Sequence, residues 1–364
     1  MADQVNEYKC SNCGGPLRFD PASQMLVCDN CGSVYQPEEI EALYLEHSLA
    51  AAQLEPSDVS INDLQWPAEE AEHMRAYTCP SCGAQIICDE NTAATSCPYC
   101  GNPTVVPAQF AGSLRPDYII PFKYSKEQAI AKLKEFYKDK TFLPSEFSSR
   151  NHLEEIKGVY VPFWLFSGRA DTDLAFTATR THTHRTSDEY ITTTEHYRIL
   201  RQGSVNFDYV PADASTKMAD DFMDAIEPYD FDEMVPFQMS YLPGYLADKY
   251  DVEAQDDEVR AFSRMSNSAV STISGTVSGY STVLPERQNV RVRRKSTDYA
   301  FLPVWMLATR YQGKPYLFAV NGQTGKMVGD DLPVDSKKVF LRFITITLIL
   351  ELIVLAAVWM AVHG

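Results

Sequence analysis

Tyr77 to Gly101 reads Y-T-C-P-S-C-G-A-Q-I-I-C-D-E-N-T-A-A-T-S-C-P-Y-C-G and sets Cys79, Cys82, Cys97 and Cys100 as two C-x-x-C hooks fourteen residues apart. Two such hooks can bring four thiolates around one Zn²⁺, each turning back through a glycine, Gly83 or Gly101, that takes positive φ without steric cost. The spacing predicts a zinc ribbon. The chain carries the pattern twice: Cys10, Cys13, Cys28 and Cys31 repeat the hooks and the gap at an offset of 69, with Tyr8, Gly14, Asp20 and Gly32 matching Tyr77, Gly83, Asp89 and Gly101. Two Zn²⁺ are therefore expected on eight cysteines.

A chain of 364 residues, 45% apolar and 22% charged, is long enough for two or three domains with a sizeable core. Its net charge is −17. Each four-thiolate zinc site would add −2, and so acidic a chain repels phosphate backbones overall. The N-terminus, M-A-D-Q-V-N-E, has no signal-peptide pattern, which favours a reducing compartment and metal-bound over disulfide-bonded cysteines. Cys88, the ninth, aligns with Phe19 and reads as buried apolar filler rather than a fifth ligand or a redox switch.

Taken in order, residues 1–35 form the first ribbon. Residues 36–76 follow as a spacer, with Ile40, Leu43, Tyr44 and Leu54 at helical spacing before Pro56. The second ribbon occupies 77–107, and 108–335 reads as a mixed α+β body of antiparallel sheet and helices. In it Ile119 to Phe122 is a short strand, and Ser125 with Gln128 makes a capping box ahead of a helix with Ala129, Ile130, Leu133, Phe136 and Tyr137 on one face. Gly158 to Phe166 is a core strand. Asp171 to Pro211, broken at Ser187–Glu189 and Gln202-Gly203, predicts a three-stranded meander. Asp213 and Asp251 are candidate caps for two further helices. Between Lys217 and Glu258, thirteen acidic residues against two lysines read as solvated helix faces. Phe301 to Met306, F-L-P-V-W-M, echoes Tyr160 to Leu165, Y-V-P-F-W-L; a duplicated unit and convergent core packing both account for it.

Two catalytic readings fail. Gly325-Lys326 is no phosphate loop, because Val320 and Met327 stand where that loop needs Gly and Ser or Thr; Asn321 to Lys326 reads as a hairpin turn. His182, His184, Glu195 and His196 could share a strand-pair face as a further metal site, but a polar outer face is the simpler reading, and the register decides. No nucleophile stands at readable spacing from a base, so a non-enzymatic protein is expected.

Phe340 to Val362 holds fourteen Leu, Ile, Val and Phe residues, and about 20 apolar residues suffice to cross a bilayer. Glu351 in the middle costs about 3 kcal/mol on the insertion scale, less than those residues return. With Lys337, Lys338 and Arg342 before the segment, the expectation is a tail anchor in 336–364: one C-terminal transmembrane helix, single-pass, inserted in the lipid bilayer through 340–362, with the N-terminus inside on the cytoplasmic face of the cell membrane. Glu351 either bonds to Thr347 in its own helix or supports a homo-oligomer.

The runs G-N-P-T-V-V-P, P-D-Y-I-I-P-F, K-G-V-Y-V-P-F-W-L-F, Y-L-P-G-Y-L-A-D-K-Y-D, L-P-V-W-M-L and V-N-G-Q-T-G-K, with the hooks before them, resemble the bacterial transcription-factor-B-type zinc-ribbon-containing proteins over nearly the whole chain. That family is largely uncharacterised, and members are labelled by analogy with the replication-restart helicase. The resemblance implies zinc at the eight paired cysteines and little about activity.

Two functions follow: a membrane-tethered zinc-ribbon adaptor that binds a protein partner, or a zinc-ribbon nucleic-acid-binding protein of transcription or replication restart. Charge separates them. Residues 1–110 hold three basic residues, Lys9, Arg18 and Arg75, against sixteen acidic ones, whereas a nucleic-acid-binding ribbon needs a basic face. Nucleic acid is therefore the disfavoured partner. The one basic cluster, Arg287, Arg291, Arg293, Arg294 and Lys295, could meet phosphates, anionic lipid headgroups or the acidic stretch upstream, and the last is the expectation.

Overall fold

The computed structural model describes residues 10, 17–28, 31–37, 39, 66–89, 92, 96–102, 105–108, 114–138, 140–145, 147, 153–185, 189–312 and 314–363; side chains at 68, 69, 356–358 and 360–363 fall outside the description. Cys13, Gly14 and the spacer helix beyond Glu39 also lie outside it.

Long alternating runs of Thr, Val, Tyr and Arg build three strands of unusual length. They are β8 (Lys157–Arg185), β9 (Tyr190–Asp213) and β12 (Thr282–Tyr311). At about 3.3 Å per residue, strands of this length run to roughly 80–100 Å. β8 lies between the other two and is antiparallel to both. The expected meander is thus a two-stranded hairpin: Gln202 and Gly203 make no turn but pair with Asp173 and Thr172 inside β9.

Gly203 has another task. A Cβ there would lie 2.8 Å from Ile273 Cδ1, so the glycine lets α4 (Ala254–Ser274) settle on the ribbon. Ala261, Met265 and Ala269 of α4 are fully buried, and Val270 and Ile273 pack on Leu174, Phe176 and Ile199. Gly203→Val should cost about 1–3 kcal/mol, because an overpacked contact must push helix and strand apart. Denaturant unfolding measures this, and Ile273→Ala in the same chain should recover part of it.

The echo between Tyr160–Leu165 and Phe301–Met306 is spatial as well. Tyr160 pairs with Pro303, Val161 with Leu302 and Pro162 with Phe301, so the two runs face one another about a local twofold. The bonds around them repeat. Trp164 Nε1 donates to Val252 O at 2.9 Å and Trp305 Nε1 to Tyr124 O at 2.8 Å; Ala214 N donates to Pro162 O at 2.9 Å and Gly322 N to Pro303 O at 2.8 Å. β7 (Tyr118–Ile119) runs parallel to β12, and β11 (Leu246–Asp248) runs parallel to β8. Yet β7 leads through α2 (Lys126–Lys138) into β8, and β11 leads through α4 into β12. Each half thus lends its first short strand to the other's long one.

The capping box forms as expected: Gln128 N donates to Ser125 Oγ and Ser125 N to Gln128 Oε1, at 3.3 and 2.8 Å. The other two caps are corrected. Asp213 ends β9 opposite Phe163, and α3 starts later, at Asp220–Ile226. Asp251 stands ahead of the Glu253 cap of α4 and takes the Thr216 N–H at 2.7 Å and Lys217 Nζ at 2.6 Å. β13 (Lys314–Asn321) and β14 (Met327–Gly329) form the expected hairpin, with Gly325 at φ 72° in its turn.

α5 (Ser336–His363) closes the described chain. Asp335 caps it by accepting from Lys337 N at 2.9 Å, and Lys338 Nζ ties its start to Leu143 O at 2.6 Å. Among the described residues no helix is long and apolar enough to cross a membrane. The transmembrane helix, the bilayer contact of 340–362 and the single-pass placement at the cell membrane are therefore corrected. Arg342 and Glu351 divide the run into charge-free stretches of eight residues, Phe343–Leu350, and eleven, Leu352–Val362, each short of the roughly 20 that a span needs. Thr347 also departs from expectation, since its hydroxyl donates to Phe343 O at 3.0 Å rather than to Glu351.

Candidate metal centres

The second ribbon is fused to the body. β4 (Met74–Thr78) pairs antiparallel with β5 (Gln85–Asp89), and Ile86 and Ile87 of β5 pair with Asp248 and Ala247 of β11, which extends the eleven-stranded sheet into the ribbon. Both hooks make the same turn. Gly83 N donates to Cys79 O and Cys79 N to Ala84 O; Gly101 N donates to Cys97 O and Cys97 N to Asn102 O, all at 2.9 to 3.1 Å. Gly83 and Gly101 sit at φ 73° and 65°, where a side chain would strain the turn.

Four sulfurs result. The Sγ atoms of Cys79, Cys82, Cys97 and Cys100 all lie within 4.8 Å of one another, with Cys79 to Cys100 at 3.7 Å and Cys82 to Cys97 at 3.6 Å. A metal–sulfur bond of about 2.3 Å in a tetrahedron sets neighbouring sulfurs about 3.8 Å apart, so the set fits a tetrahedral thiophilic ion. Electrostatics within the set are uneven. Burial pushes the Cys79 thiol up, but N–H groups of Cys82 and Ser81 and the neighbouring sulfurs outweigh it and bring it down to about 7. Burial holds Cys82 up at about 11 and Cys97 higher still. A bound cation would reverse these last two, since a coordinated thiol is deprotonated outright.

Cys10, Cys28 and Cys31 form a second group, with Cys10 and Cys31 sulfurs 3.4 Å apart. The hook repeats: Gly32 N donates to Cys28 O and Cys28 N to Ser33 O, both at 2.9 Å, with Gly32 at φ 71°. Cys13, the fourth residue of the sequence pattern, lies outside the described residues. Here β1 (Leu17–Asp20), β2 (Met25–Cys28) and β3 (Val34–Tyr35) form a separate small sheet. It docks through Phe19, whose ring meets Tyr241 edge-on at 5.2 Å, and through Gln24 Nε2, which donates to Phe122 O at 2.6 Å. Cys28 and Cys10 are buried and Cys31 is exposed. A cleft of about 500 Å³ lies where this sheet, the second ribbon and the body meet, lined by Arg18, Asp20, Thr92, Lys126 and Lys157.

The remaining candidates resolve differently. Cys88 is fully buried outside the tetrad and bonds Thr92 O at 3.0 Å. Arg180 pairs with Glu195 and His182 with Thr193, while His196 pairs with Thr179, so His196 faces away from His182 and His184. All three histidines are exposed, and among the described residues the metal-capable groups are the two cysteine sets. The basic cluster finds acids mainly within the ribbon: Arg287 binds Asp173 at 2.9 Å, Arg293 binds Asp171 and Lys295 meets Asp208 at 3.5 Å. Only Arg294, on Glu258 at 3.2 Å, reaches the upstream stretch.

Part of that stretch is structural rather than a solvated face. Arg260 bonds Asp213 at 2.9 Å and Asp224 at 2.5 Å, and Arg264 bonds Glu227 at 2.6 Å, which clamps α3 to α4 and β9. Sequence reasoning also missed Asp248. Fully buried beside Tyr99 of the second hook, it accepts from Ser215 Oγ at 2.7 Å, and burial raises its carboxyl to about 7. A carboxyl raised in the folded state costs stability as pH climbs from its unfolded value, about 4, through 7. Asp248→Asn keeps the Ser215 acceptor and should gain on the parent chain over that window, by on the order of 4 kcal/mol at pH 8; parallel denaturant titrations at pH 5 and 8 check this.

The fold and its two sulfur clusters define a class: a mixed α+β body carrying one closed four-cysteine group within its own sheet and a second cysteine group on a docked small sheet. The chain is 34% identical over 341 residues, 92% of its own length and 92% of the relative's, to the uncharacterised protein YdjG of Bacillus subtilis (strain 168), and it belongs to the same family. No family model and no solved structure matches it.

Proposed function

We propose that the chain is a non-enzymatic adaptor of the transcription-factor-B-type zinc-ribbon kind, holding one Zn²⁺ at Cys79, Cys82, Cys97 and Cys100 and another at Cys10, Cys13, Cys28 and Cys31. The observation that carries this is the closed second tetrad. Four sulfurs at tetrahedral spacing leave no coordination position for water or substrate, the mark of a structural rather than a catalytic zinc. Bound there, the ion ties the two hooks of the ribbon to each other and presents a fixed outer surface to a protein partner. Thirteen of the seventeen net negative charges fall in residues 1–110, the part of the sequence that also holds all eight paired cysteines, which supports a protein over a nucleic acid as that partner.

Metal analysis of the purified full chain should return two zinc ions. Duplex DNA should show no salt-dependent binding, and a specific protein should be retained from native extracts by the parent chain and lost with Cys97→Ser. A salt-sensitive DNA shift requiring Arg293 and Arg294, or a metal-free chain of unchanged stability, would overturn the reading.

A further inference from the structure

The three-stranded ribbon has two long edges, and they differ. The free side of β12, from Thr282 to Thr297, is blunted by Pro285, by register breaks at Pro285/Arg287 and Arg294/Ser296, and by five basic residues. These are the devices by which a sheet edge rejects another strand. Over its first eighteen residues β9 lacks the proline and the register breaks, and Arg198 and Arg201 are its only Arg or Lys residues there. From Tyr190 to Phe207 it pairs with β8 in one unbroken register, without proline or lysine, and among the described residues no strand lies on its other side. Its side chains expose apolar surface too: Tyr190 is 71%, Leu200 56% and Ile191 41% exposed.

We propose that the β9 edge is the interface of a homodimer, in which a second copy's β9 adds antiparallel across a twofold axis at Arg198. An axis perpendicular to a sheet pairs residues whose numbers share one sum and keeps each on its own face. Centring on 198 sets Glu195 opposite Arg201 of the second copy, twice by symmetry, and sets Ile191 opposite Val205 and Thr192 opposite Ser204. Glu195 and Arg201 are both odd-numbered and lie on the side of the ribbon that α4 covers, where Arg201 Nε already reaches Thr276 Oγ1 at 3.2 Å. Directly opposed side chains stand about 5 Å apart across strands, within reach of an ion pair. The two Arg198 residues that meet on the axis each carry their own counter-ion, Glu286, at 2.7 Å. Every unpaired backbone group along the shared stretch gains a partner, and two three-stranded ribbons become one six-stranded sheet.

A charge swap tests this in the full chain. Sedimentation of the parent protein should show a dimer. Glu195→Arg alone and Arg201→Glu alone should each weaken it about tenfold or more, since each replaces two opposed ion pairs with two repulsions, and the double variant should recover the parent affinity. Arg198→Cys should give a disulfide-linked dimer whose peptides map to residue 198 in both chains. A monomer at all concentrations, single variants that dimerise like the parent, a double variant as weak as either single, or a cross-link from residue 198 to a different protein would each overturn the proposal. Thermal unfolding of each variant separates a lost interface from a lost fold.

Discussion

Cys97→Ser in the full chain is expected to abolish one of two bound zinc ions and to remove hydrogen-exchange protection from the hooks at residues 79–83 and 97–101, while β5, β8 and β12 keep theirs. Structural zinc contributes about 10 kcal/mol or more to the folding of small ribbons, which rivals the total stability of an ordinary domain, about 5–15 kcal/mol. The loss should stay local for a geometric reason. β5 is anchored to the body by Ile86, Ile87 and Cys88, all buried, and by its pairing with β11, whereas the hooks around Gly83 and Gly101 are held by their own turn bonds, the sulfurs and a few outside contacts such as Arg310 Nε to Cys100 O at 3.3 Å. Cys97 is the informative ligand because it is buried, so a serine hydroxyl there loses the metal and gains no water. Cys31→Ser, at an exposed position, should empty the other site and leave exchange in 79–101 unchanged. If Cys97→Ser kept both metals, or kept protection in its own hooks without one, the tetrad would not be the element that holds this ribbon.

The hooks were legible because metal geometry is local. Two residues between cysteines and a glycine after the second dictate a turn whatever surrounds it, and the described hooks, at 28–31, 79–82 and 97–100, all form it. The capping box at Ser125 was legible for the same reason. What the sequence concealed depends on contacts between distant residues. Gln202-Gly203 carries a turn signal, and only the approach of Ile273 reveals that the glycine serves packing instead. Asp213 and Asp251 look like helix caps in isolation, yet Arg260 and Lys217, remote in sequence, claim them. The matching runs at Tyr160 and Phe301 could be seen to resemble one another, but periodicity cannot say that each half's short strand would pair with the other half's long one. At the C-terminus, counting apolar residues from 340 to 362 outweighed the charges at Arg342 and Glu351, and the described helix does not qualify as a span.

That exchange of strands makes one residue more costly than its place in the chain suggests. Phe122 follows β7 and is fully buried. Its ring stacks on Tyr245 at 4.2 Å and meets Tyr160 at 5.0 Å and Trp305 at 5.1 Å edge-on, so it touches aromatic groups from before β11, from β8 and from β12 at once. Gly158 and Gly322 leave room for this cluster, since a Cβ on Gly322 would lie 2.7 Å from the Phe122 ring and one on Gly158 2.5 Å from that of Tyr245. Phe122→Ala should therefore cost about 3–5 kcal/mol, the range for emptying a buried aromatic site, and the upper part is expected because rings held on three sides cannot collapse into the space. The damage should also reach the first ribbon. Gln24 bonds the Phe122 carbonyl, and Tyr245 donates its hydroxyl to Phe19 O at 3.5 Å, so a shifted Phe122 backbone and a freed Tyr245 loosen two of the anchors of that small sheet. Limited proteolysis between residues 20 and 60 should accelerate in Phe122→Ala, whereas Phe136→Ala, on the half-buried side of α2, should leave it unchanged. Equal protection in the two variants would mean that the first ribbon docks through Tyr241 and the Phe19 N–Pro243 O bond and that the ring cluster holds only the body.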